Sequence, residues 1–463
     1  MIKYESEVLL KRSGDPFADT GALVIAYLQK TPMYRDKDIL ELIEAVAKIY
    51  VNIWNSKVHP FFLNHSITQP AFDSQRKILE TVKYYKSLIN GEAEGEEGYC
   101  RILGTKGKLF SAGRSNYMMA GSGTFMNFHH GFEGGLMLSK EALIRIFFVP
   151  LGTQFVGNKI AALSSNHGEI ERIFVQKIIK ENIARIGSNS SEGVLKSDFS
   201  NPATGLFNFA KYCITDHDLN DAEDVELNLF HFTNFGASPE IQIHSFSAQL
   251  FDFYRVVLIQ HKNDWQRFAH SFHRAKDASY LDGKDSFEIK DKKESRIVEY
   301  GEFQNWYNSL YVKLLDGHQN IRTDFLNYSS RQFKKGQQFK IYSIVSLYQK
   351  YFSKMKEVTL KKIEEIADFI IMDDGKLKKR LVKLRGSKHE GQIREFLLDL
   401  IKDKYDKQDG KPLVRLREYV NDLFPDGTFG AEIRDLLLIC LYEKLADKQQ
   451  FVEVDEAIEE ESN

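Results

Sequence analysis

From Ile341 onward the sequence shows almost only helical patterns, and this feature restricts the possible folds more than any other. Amphipathic runs follow one another, joined by short polar turns. Helices with such short connections are typical of a small antiparallel bundle. We therefore predict a C-terminal all-α helical bundle over residues 341–450. The remaining segment, residues 451–463, is acidic and lacks sustained apolar periodicity, which predicts a disordered tail.

The preceding part of the chain mixes helix and strand patterns. Helical spacing of apolar residues is seen over residues 36–54, 71–88 and 167–186, whereas residues 225–234 and 240–245 alternate like paired strands. Residues 2–12 alternate loosely and predict a first strand. The fold class is therefore α+β, with a mixed α/β N-terminal region over residues 1–330. The length of 463 residues and a hydrophobic content of 43% suffice for more than one core.

A glycine-rich stretch from Gly104 to Asn166 lies at the centre of this region. Glycine lets the main chain approach a partner closely, and hydrogen-bond donors lie between the glycines. Ser139 is placed to cap a short apolar helix, and KIAALSS follows as a buried strand. A donor-rich loop on an apolar framework suits an extended anionic ligand, although tight hairpin turns that bind nothing fit the glycines equally well. The candidate ligand-binding residues are Lys106, Lys108, Arg114, Ser115, Asn116, Asn127, His129 and His130.

Overall composition excludes few classes of function. The net charge is −2, but 63 basic and 65 acidic residues can be segregated into patches, so nucleic acid stays a possible partner. The three cysteines are too far apart for a CxxC knuckle and suit a reducing compartment. No apolar run approaches the roughly 20 residues that span a bilayer, and the N-terminus lacks a signal-peptide pattern. We expect a cytoplasmic protein with no membrane partner, no metal and no cofactor.

Motifs for catalysis are weak. The triplet Asp216-His217-Asp218 superficially resembles the pair that metal phosphohydrolases use, but such enzymes need further histidines and aspartates, and an ordinary acidic loop is the favoured explanation. GSGTFMN has no lysine after its glycines, so it is not a phosphate-binding P-loop. We predict that the protein is not an enzyme. The alternatives are a metal-dependent nuclease or phosphohydrolase built on that triplet, and a scaffold that binds only protein.

Two basic groups point to nucleic acid. Residues 376–388 contain seven basic side chains and no acidic one, with leucines on the opposite helix face. Such a stripe matches a phosphate backbone, although it could be merely a solvated surface. The residues proposed to bind are Lys376, Lys379, Arg380, Lys383, Arg385 and Lys388. The second group interleaves cations with aromatic residues and could equally be a soluble linker; it comprises Arg331, Lys334, Lys335 and Lys340.

Three segments carry a resemblance to a known family: GDPFADTG at residues 14–21, the block over residues 123–166, and the helical C-terminal third. Together they resemble the large subunit of a type I-B CRISPR Cascade interference complex. The resemblance implies a non-catalytic protein that sits near the 5′ end of the guide RNA (crRNA). Such a protein reads the protospacer-adjacent motif of double-stranded DNA and helps to unwind the duplex. It also stabilises the R-loop and recruits the helicase-nuclease in antiviral defense. Base pairing reads the long target sequence, and protein reads the short flank.

The resemblance also implies partners and residue roles. The partners are crRNA, target DNA, the backbone and small subunits of Cascade, and the helicase-nuclease. The candidate residues of the central stretch would recognise the flank: Lys106 and Lys108 hold phosphates, whereas Arg114, Asn116, Asn127 and His129 are candidates for reaching base edges. The basic residues over 376–388 would line the path of the displaced strand. Many relatives carry paired CxxC motifs, which this chain lacks, so no zinc site is carried over.

In this family the C-terminal helical part can also be produced separately from an internal start. Met355 stands before the helical pattern TLKKIEEIADFIIM, so a start there would yield the remaining bundle intact. We predict that a C-terminally tagged gene gives a second, short product and that Met355→Leu removes it, as judged by immunoblot. Persistence of the short product in that variant would exclude Met355 as its start.

Overall fold

A computed structural model describes residues 6–118, 135–217, 219, 222–234, 240–290, 295–317, 320–406, 412–425 and 430–452. The chain is mixed α and β, with several small sheets and many helices toward the C-terminus, as predicted. It divides into two compact units, Met1–Ala248 and Gln249–Asn463. None of the helices in these ranges is both long and apolar enough to cross a bilayer.

The first unit combines helices with two sheets whose strands are mostly antiparallel. One sheet has the order β1-β2-β3, and the other has the order β6-β4-β5-β7-β8 with only the β4–β6 pair parallel. The helices are α1 (Ser6–Leu10), α2 (Pro16–Lys30), α3 (Ile39–Lys48), α4 (Ser74–Ile89), α5 (Lys140–Phe148), α6 (Gly168–Gly187) and α7 (Pro202–Asp216). The strands are β1 (Glu96–Tyr99), β2 (Lys106–Ala112), β3 (Leu136–Ser139), β4 (Gln154–Val156), β5 (Lys159–Ser165), β6 (Leu195–Lys196), β7 (Leu227–Thr233) and β8 (Glu240–Phe246).

Several elements of this unit follow the sequence patterns. The predicted strand pair is confirmed, since β7 and β8 pair with Phe230 opposite Ile243. The run KIAALSS forms β5, and Ser139 caps α5 by accepting a hydrogen bond from the Ala142 amide. The predicted first strand is wrong, because residues 6–10 form α1. Loose alternation over a short segment does not distinguish a strand from a short helix that packs on α2 and α5.

The GDPFADTG segment forms a tight turn that starts α2. Gly14 adopts a φ of +86°, a conformation that favours glycine. The Asp15 carboxylate accepts hydrogen bonds from the amides of Phe17 and Ala18, at 3.0 and 2.7 Å, and caps the helix. The buried Asp19 carboxylate accepts from the Ser13 amide at 2.8 Å and from the Gly14 amide at 2.8 Å. Both carboxylates therefore fix the direction in which α2 leaves the turn.

A buried ion pair joins α2 to α5. The Arg145 side chain is 1% exposed and approaches Asp19 at 3.6 Å. Burial lowers the pKa of Arg145, while the Asp19 carboxylate favours its charged form. A side chain at Gly21 would place its Cβ 1.9 Å from the Arg145 carbonyl oxygen, so the two helices approach this closely only because residue 21 is glycine.

The second unit is dominated by helices and carries two small sheets, β10-β11-β12 and β13-β9. Its helices are α8 (Ala248–Gln260), α9 (Lys262–His270), α10 (Tyr300–Phe303), α11 (Ser309–Asp316), α12 (Arg322–Lys334), α13 (Tyr342–Phe352), α14 (Glu357–Ile371), α15 (Asp374–Gly386), α16 (Glu390–Asp406), α17 (Leu416–Glu418) and α18 (Gly430–Asp447). Its strands are β9 (His273–Arg274), β10 (Ala278–Leu281), β11 (Ser286–Lys290), β12 (Ser295–Val298) and β13 (Tyr307–Asn308).

Helix α18 lies at the centre of this unit and packs against α12, α13, α14, α15 and α16. The change in sequence pattern near residue 330 predicted a boundary there, whereas the compact unit begins at Gln249. The difference arises because α12 packs on α18, with the Phe333 and Tyr442 rings stacked 4.9 Å apart. The helices before residue 341 therefore share a core with those after it.

All three cysteines are buried and unpaired. Burial raises the pKa of the Cys213 thiol to about 12 and also raises the pKa of Cys440. Because the thiolate is the reactive form, these two side chains are inert packing residues at neutral pH.

Two buried histidines make stability depend on pH. Burial lowers the pKa of His65 and of His273 from 6.5 to about 4. The unfolded chain takes up a proton below pH 6.5 and the folded chain only near pH 4. The free energy of unfolding should therefore fall between these values as pH falls, by about 1.4 kcal/mol per pH unit for each histidine. Urea unfolding at several pH values measures this slope.

The variant His65→Gln should flatten the slope, because it removes one of the histidines whose pKa is lowered by burial. His389→Gln, at an exposed position, serves as the matched control and should keep the wild-type slope. A His65→Gln protein with the wild-type slope would contradict the assignment of this pH dependence to His65.

Candidate nucleic-acid interface

The two predicted phosphate-binding lysines of the central stretch lie on the exposed face of β2. In the antiparallel register Lys106 stands opposite Tyr99, and Lys108 stands opposite Glu97. The Lys108 ammonium donates to the Gly91 carbonyl oxygen at 3.1 Å. Cross-strand neighbours share a face, so Glu97 offsets part of the positive charge of Lys108. Lys106 is the more suitable of the two for contact with an anion.

The turn after β2 separates exposed from buried candidates. Arg114 and Ser115 are exposed. Asn116 is 8% exposed; its Oδ1 accepts from the Gly113 amide at 2.9 Å, and its Nδ2 donates to the Tyr84 hydroxyl at 2.8 Å. The Asn116 amide therefore closes the turn and fastens it to α4, and in this arrangement it does not present its donor and acceptor to a base. Asn127, His129 and His130 lie outside the described residues, and their predicted role stays a prediction.

The predicted basic stripe of α15 faces another helix. Lys376 and Arg380 contact the Asp403 carboxylate at 3.1 and 2.8 Å, and Lys383 contacts Asp399 at 2.6 Å. Both carboxylates belong to α16. Three residues of the stripe therefore form an ion-pair seam between α15 and α16. The leucines of the opposite face are buried, as predicted: Leu377, Leu381 and Leu384.

The remaining cations of this segment are placed differently. Arg380 is 6% exposed and also lies over the Phe369 ring at 5.2 Å, so it is largely withdrawn from solvent. Lys379 and Lys388 are exposed. Arg385 lies on the other side of α15, where it lines a cavity between α12, α15 and α18.

This cavity brings together the two basic groups that are separate in sequence. It has a volume of about 470 Å³, and four cations line it: Arg331, Lys334, Lys335 and Arg385. Its α12 wall is one helix face with Leu326, Asn327 and Ser330, and α18 supplies Leu438 and Tyr442. Among the described residues, no carboxylate lines it. We call this feature the basic cavity.

A buried carboxylate behind the basic cavity fixes two of its cations. Asp282 accepts from the Gln332 amide and the Lys335 ammonium, each at 2.6 Å, and lies 3.2 Å from the Arg331 guanidinium. Arg331 and Lys335 remain 41% and 48% exposed. Two of the four lining cations are thus anchored, and the concentration of basic side chains around the cavity suits an anion.

The structure does not gather metal ligands around the Asp216-His217 pair. Asp216 ends α7 and accepts from the Thr215 hydroxyl at 2.8 Å, while the His217 ring packs edge-on to Tyr212 at 4.7 Å. Asp218 lies outside the described residues. Within the ranges given above, no group of three or more histidine, cysteine, aspartate or glutamate side chains is placed to hold a metal ion.

Comparison with protein-family models, with curated proteins and with solved structures finds no match to this chain. The functional assignment therefore depends on the residues and on their geometry.

The position of Asn116 yields a prediction that separates a structural role from base recognition. Asn116→Ala leaves the Gly113 amide and the Tyr84 hydroxyl without their partner, which should lower the free energy of unfolding by about 1–3 kcal/mol. The neighbouring Ser115→Ala, at an exposed site, should change it by less than roughly 0.5 kcal/mol. Chemical unfolding measures both. Equal stability of the two variants would contradict the structural role of Asn116.

Proposed function

We propose that the protein is a non-catalytic, nucleic-acid-binding subunit of an RNA-guided complex, namely the large subunit of a type I-B CRISPR Cascade. In this role it binds near the 5′ end of crRNA, reads the protospacer-adjacent motif of target DNA, helps to unwind the duplex, stabilises the R-loop and recruits the helicase-nuclease. The family role comes from the sequence resemblance. The observation that carries nucleic-acid binding is the convergence of cations on the basic cavity.

The chemistry of the basic cavity favours phosphate over other anions. Guanidinium groups bind phosphate oxygens in pairs, and Arg331 and Arg385 supply two of them. Lys334 and Lys335 add point charges at the exposed C-terminal end of α12. Because Asp282 holds Arg331 and Lys335 in place, less side-chain entropy is lost when an anion binds. A strand passing this site would release counterions from its phosphates, which supplies a large share of the affinity.

The first unit offers a smaller set of contacts. Lys106, Arg114 and Ser115 are exposed around β2 and the turn that follows it. In the proposed role Lys106 holds a phosphate beside the motif and sets the register of the duplex, whereas Arg114 reaches a base edge. We assign the displaced single strand to the second unit, where the basic cavity lies.

RNA bound in the cell tests the family role directly. We expect that C-terminally tagged protein purified from its native cells carries short RNAs of uniform length with a common repeat-derived 5′ end, as read by sequencing. A folded, pure preparation without RNA would count against the guide-complex assignment. Metal-dependent cleavage that is lost in His217→Ala would then support the nuclease alternative.

Charge removal tests nucleic-acid binding at the basic cavity. We expect the double variant Lys334→Gln/Arg385→Gln to lower the slope of log affinity against log salt for single-stranded DNA by about 1.4, roughly 0.7 per lost phosphate contact. These two residues are chosen because the Asp282 contacts with Arg331, Lys335 and Gln332 then survive.

The matched control is Lys361→Gln/Lys402→Gln, which removes two exposed charges of the same unit away from the cavity lining. It should leave the slope close to that of the unaltered protein. If the cavity variant and this control had the same slope, the cavity would not be the binding site.

A further inference from the structure

The basic cavity is larger and more apolar than a phosphate group requires. Cavities that hold small-molecule ligands have volumes of roughly 300–1,000 Å³, and this one, at about 470 Å³, lies within that range. We propose that it takes one unstacked nucleotide of a single strand, with the base against its apolar floor and the phosphates on its cations. The inference rests on the proposed function in one respect, namely that the ligand is nucleic acid.

The floor of the cavity is apolar and rigid. Leu438 and Tyr442, one helical turn apart on α18, are 3% and 4% exposed. The Tyr442 ring is held by its stack on Phe333, at an interplanar angle of 27°. Leu326 of α12 adds a half-buried wall. The Leu326 and Leu438 side chains offer a phosphate no hydrogen bond, whereas a base has an apolar face that packs well on such a surface.

The polar groups of the cavity fit the edge and the backbone of a nucleotide. Asn327 is exposed on the α12 wall, and its amide offers both a donor and an acceptor for a base edge. Lys334 and Lys335 follow two turns later at the exposed end of the same helix face. The cations thus lie where a nucleic-acid strand would enter and leave the cavity, and the apolar floor would contact its base.

The arrangement favours a single strand over a duplex. In a duplex both faces of a base are stacked and its edge is paired, so a base must be unpaired and flipped out before it can enter a recessed site. A displaced or unpaired strand has already lost this pairing. The cavity would therefore bind a strand only after the duplex has been opened.

The experiment compares two oligomers with the same number of phosphates. One is a single strand of about twelve thymidines, a length within the range that single-strand-binding folds cover, and the other is an abasic oligomer of equal length. We expect the full-length protein to bind the abasic oligomer roughly 5- to 150-fold more weakly, by fluorescence anisotropy at fixed salt, since the stacking of a base is lost.

A variant in the cavity wall makes the comparison specific. Leu326→Gln should narrow the difference between the two oligomers without weakening the abasic one, because it alters the wall and leaves the four cations in place. Leu398→Gln, at a leucine that is 55% exposed on α16, is the matched control and should preserve the difference. Asn327→Ala provides a second probe, since it should change the relative affinities of different bases while leaving the abasic oligomer unchanged.

The outcomes separate this inference from the proposed function. Equal affinity for both oligomers, with the salt slope still reduced in Lys334→Gln/Arg385→Gln, would overturn the nucleotide site and leave nucleic-acid binding intact. Saturable binding of thymidine monophosphate without binding of either oligomer would show a free-nucleotide site and overturn the strand assignment. Binding of neither oligomer nor mononucleotide would remove the proposed function as well.

Discussion

The burial of α18 is the constraint on which the second unit depends. Its sequence places apolar residues on every face, including Leu436, Leu437 and Leu438 in succession, and a helix of this kind must be covered on all sides. Helices α12, α14, α15 and α16 supply that cover. Because α12 and α15 both rest on α18, cations far apart in sequence are brought to the same cavity. The half-buried Glu443 is a polar exception, and its carboxylate accepts hydrogen bonds from the amides of Ile341 and Tyr342 at the start of α13.

The two sides of α15 show how one basic segment can contribute both to helix packing and to a group of cations on the surface. On one side Lys376, Arg380 and Lys383 meet carboxylates of α16, so their charge is largely neutralised within the fold. On the other side Arg385 joins the cations of α12, of which Asp282 holds Arg331 and Lys335. The same basic segment therefore contributes to helix packing through one face and to the surface potential through another. Exposed pairs such as Lys383–Asp399 add little stability individually, but together they fix the register of the two helices.

Periodicity was sufficient to predict the mixed fold, the C-terminal helices, the β7–β8 pair and the cap at Ser139, because each depends on local spacing. Features that depend on contacts between distant parts of the chain could not be predicted from periodicity. A stripe of lysines looks the same in sequence whether it faces water or the acidic face of α16. An asparagine in a glycine-rich turn looks the same whether it binds a ligand or, like Asn116, closes the turn.

The basic cavity was missed for a related reason. Its two cationic groups were visible in the sequence, but nothing local indicated that α12 and α15 would meet; the apolar character of α18 was the available signal.

The buried state of the cysteines has a practical consequence. Cys213 and Cys440 lie in apolar surroundings that hold their thiols in the protonated form, and Cys100 is likewise buried. A cysteine introduced at an exposed position would consequently outcompete them for a maleimide dye in the native protein. Distances between introduced labels then become accessible to fluorescence energy transfer without first removing the natural cysteines and repacking the core around them.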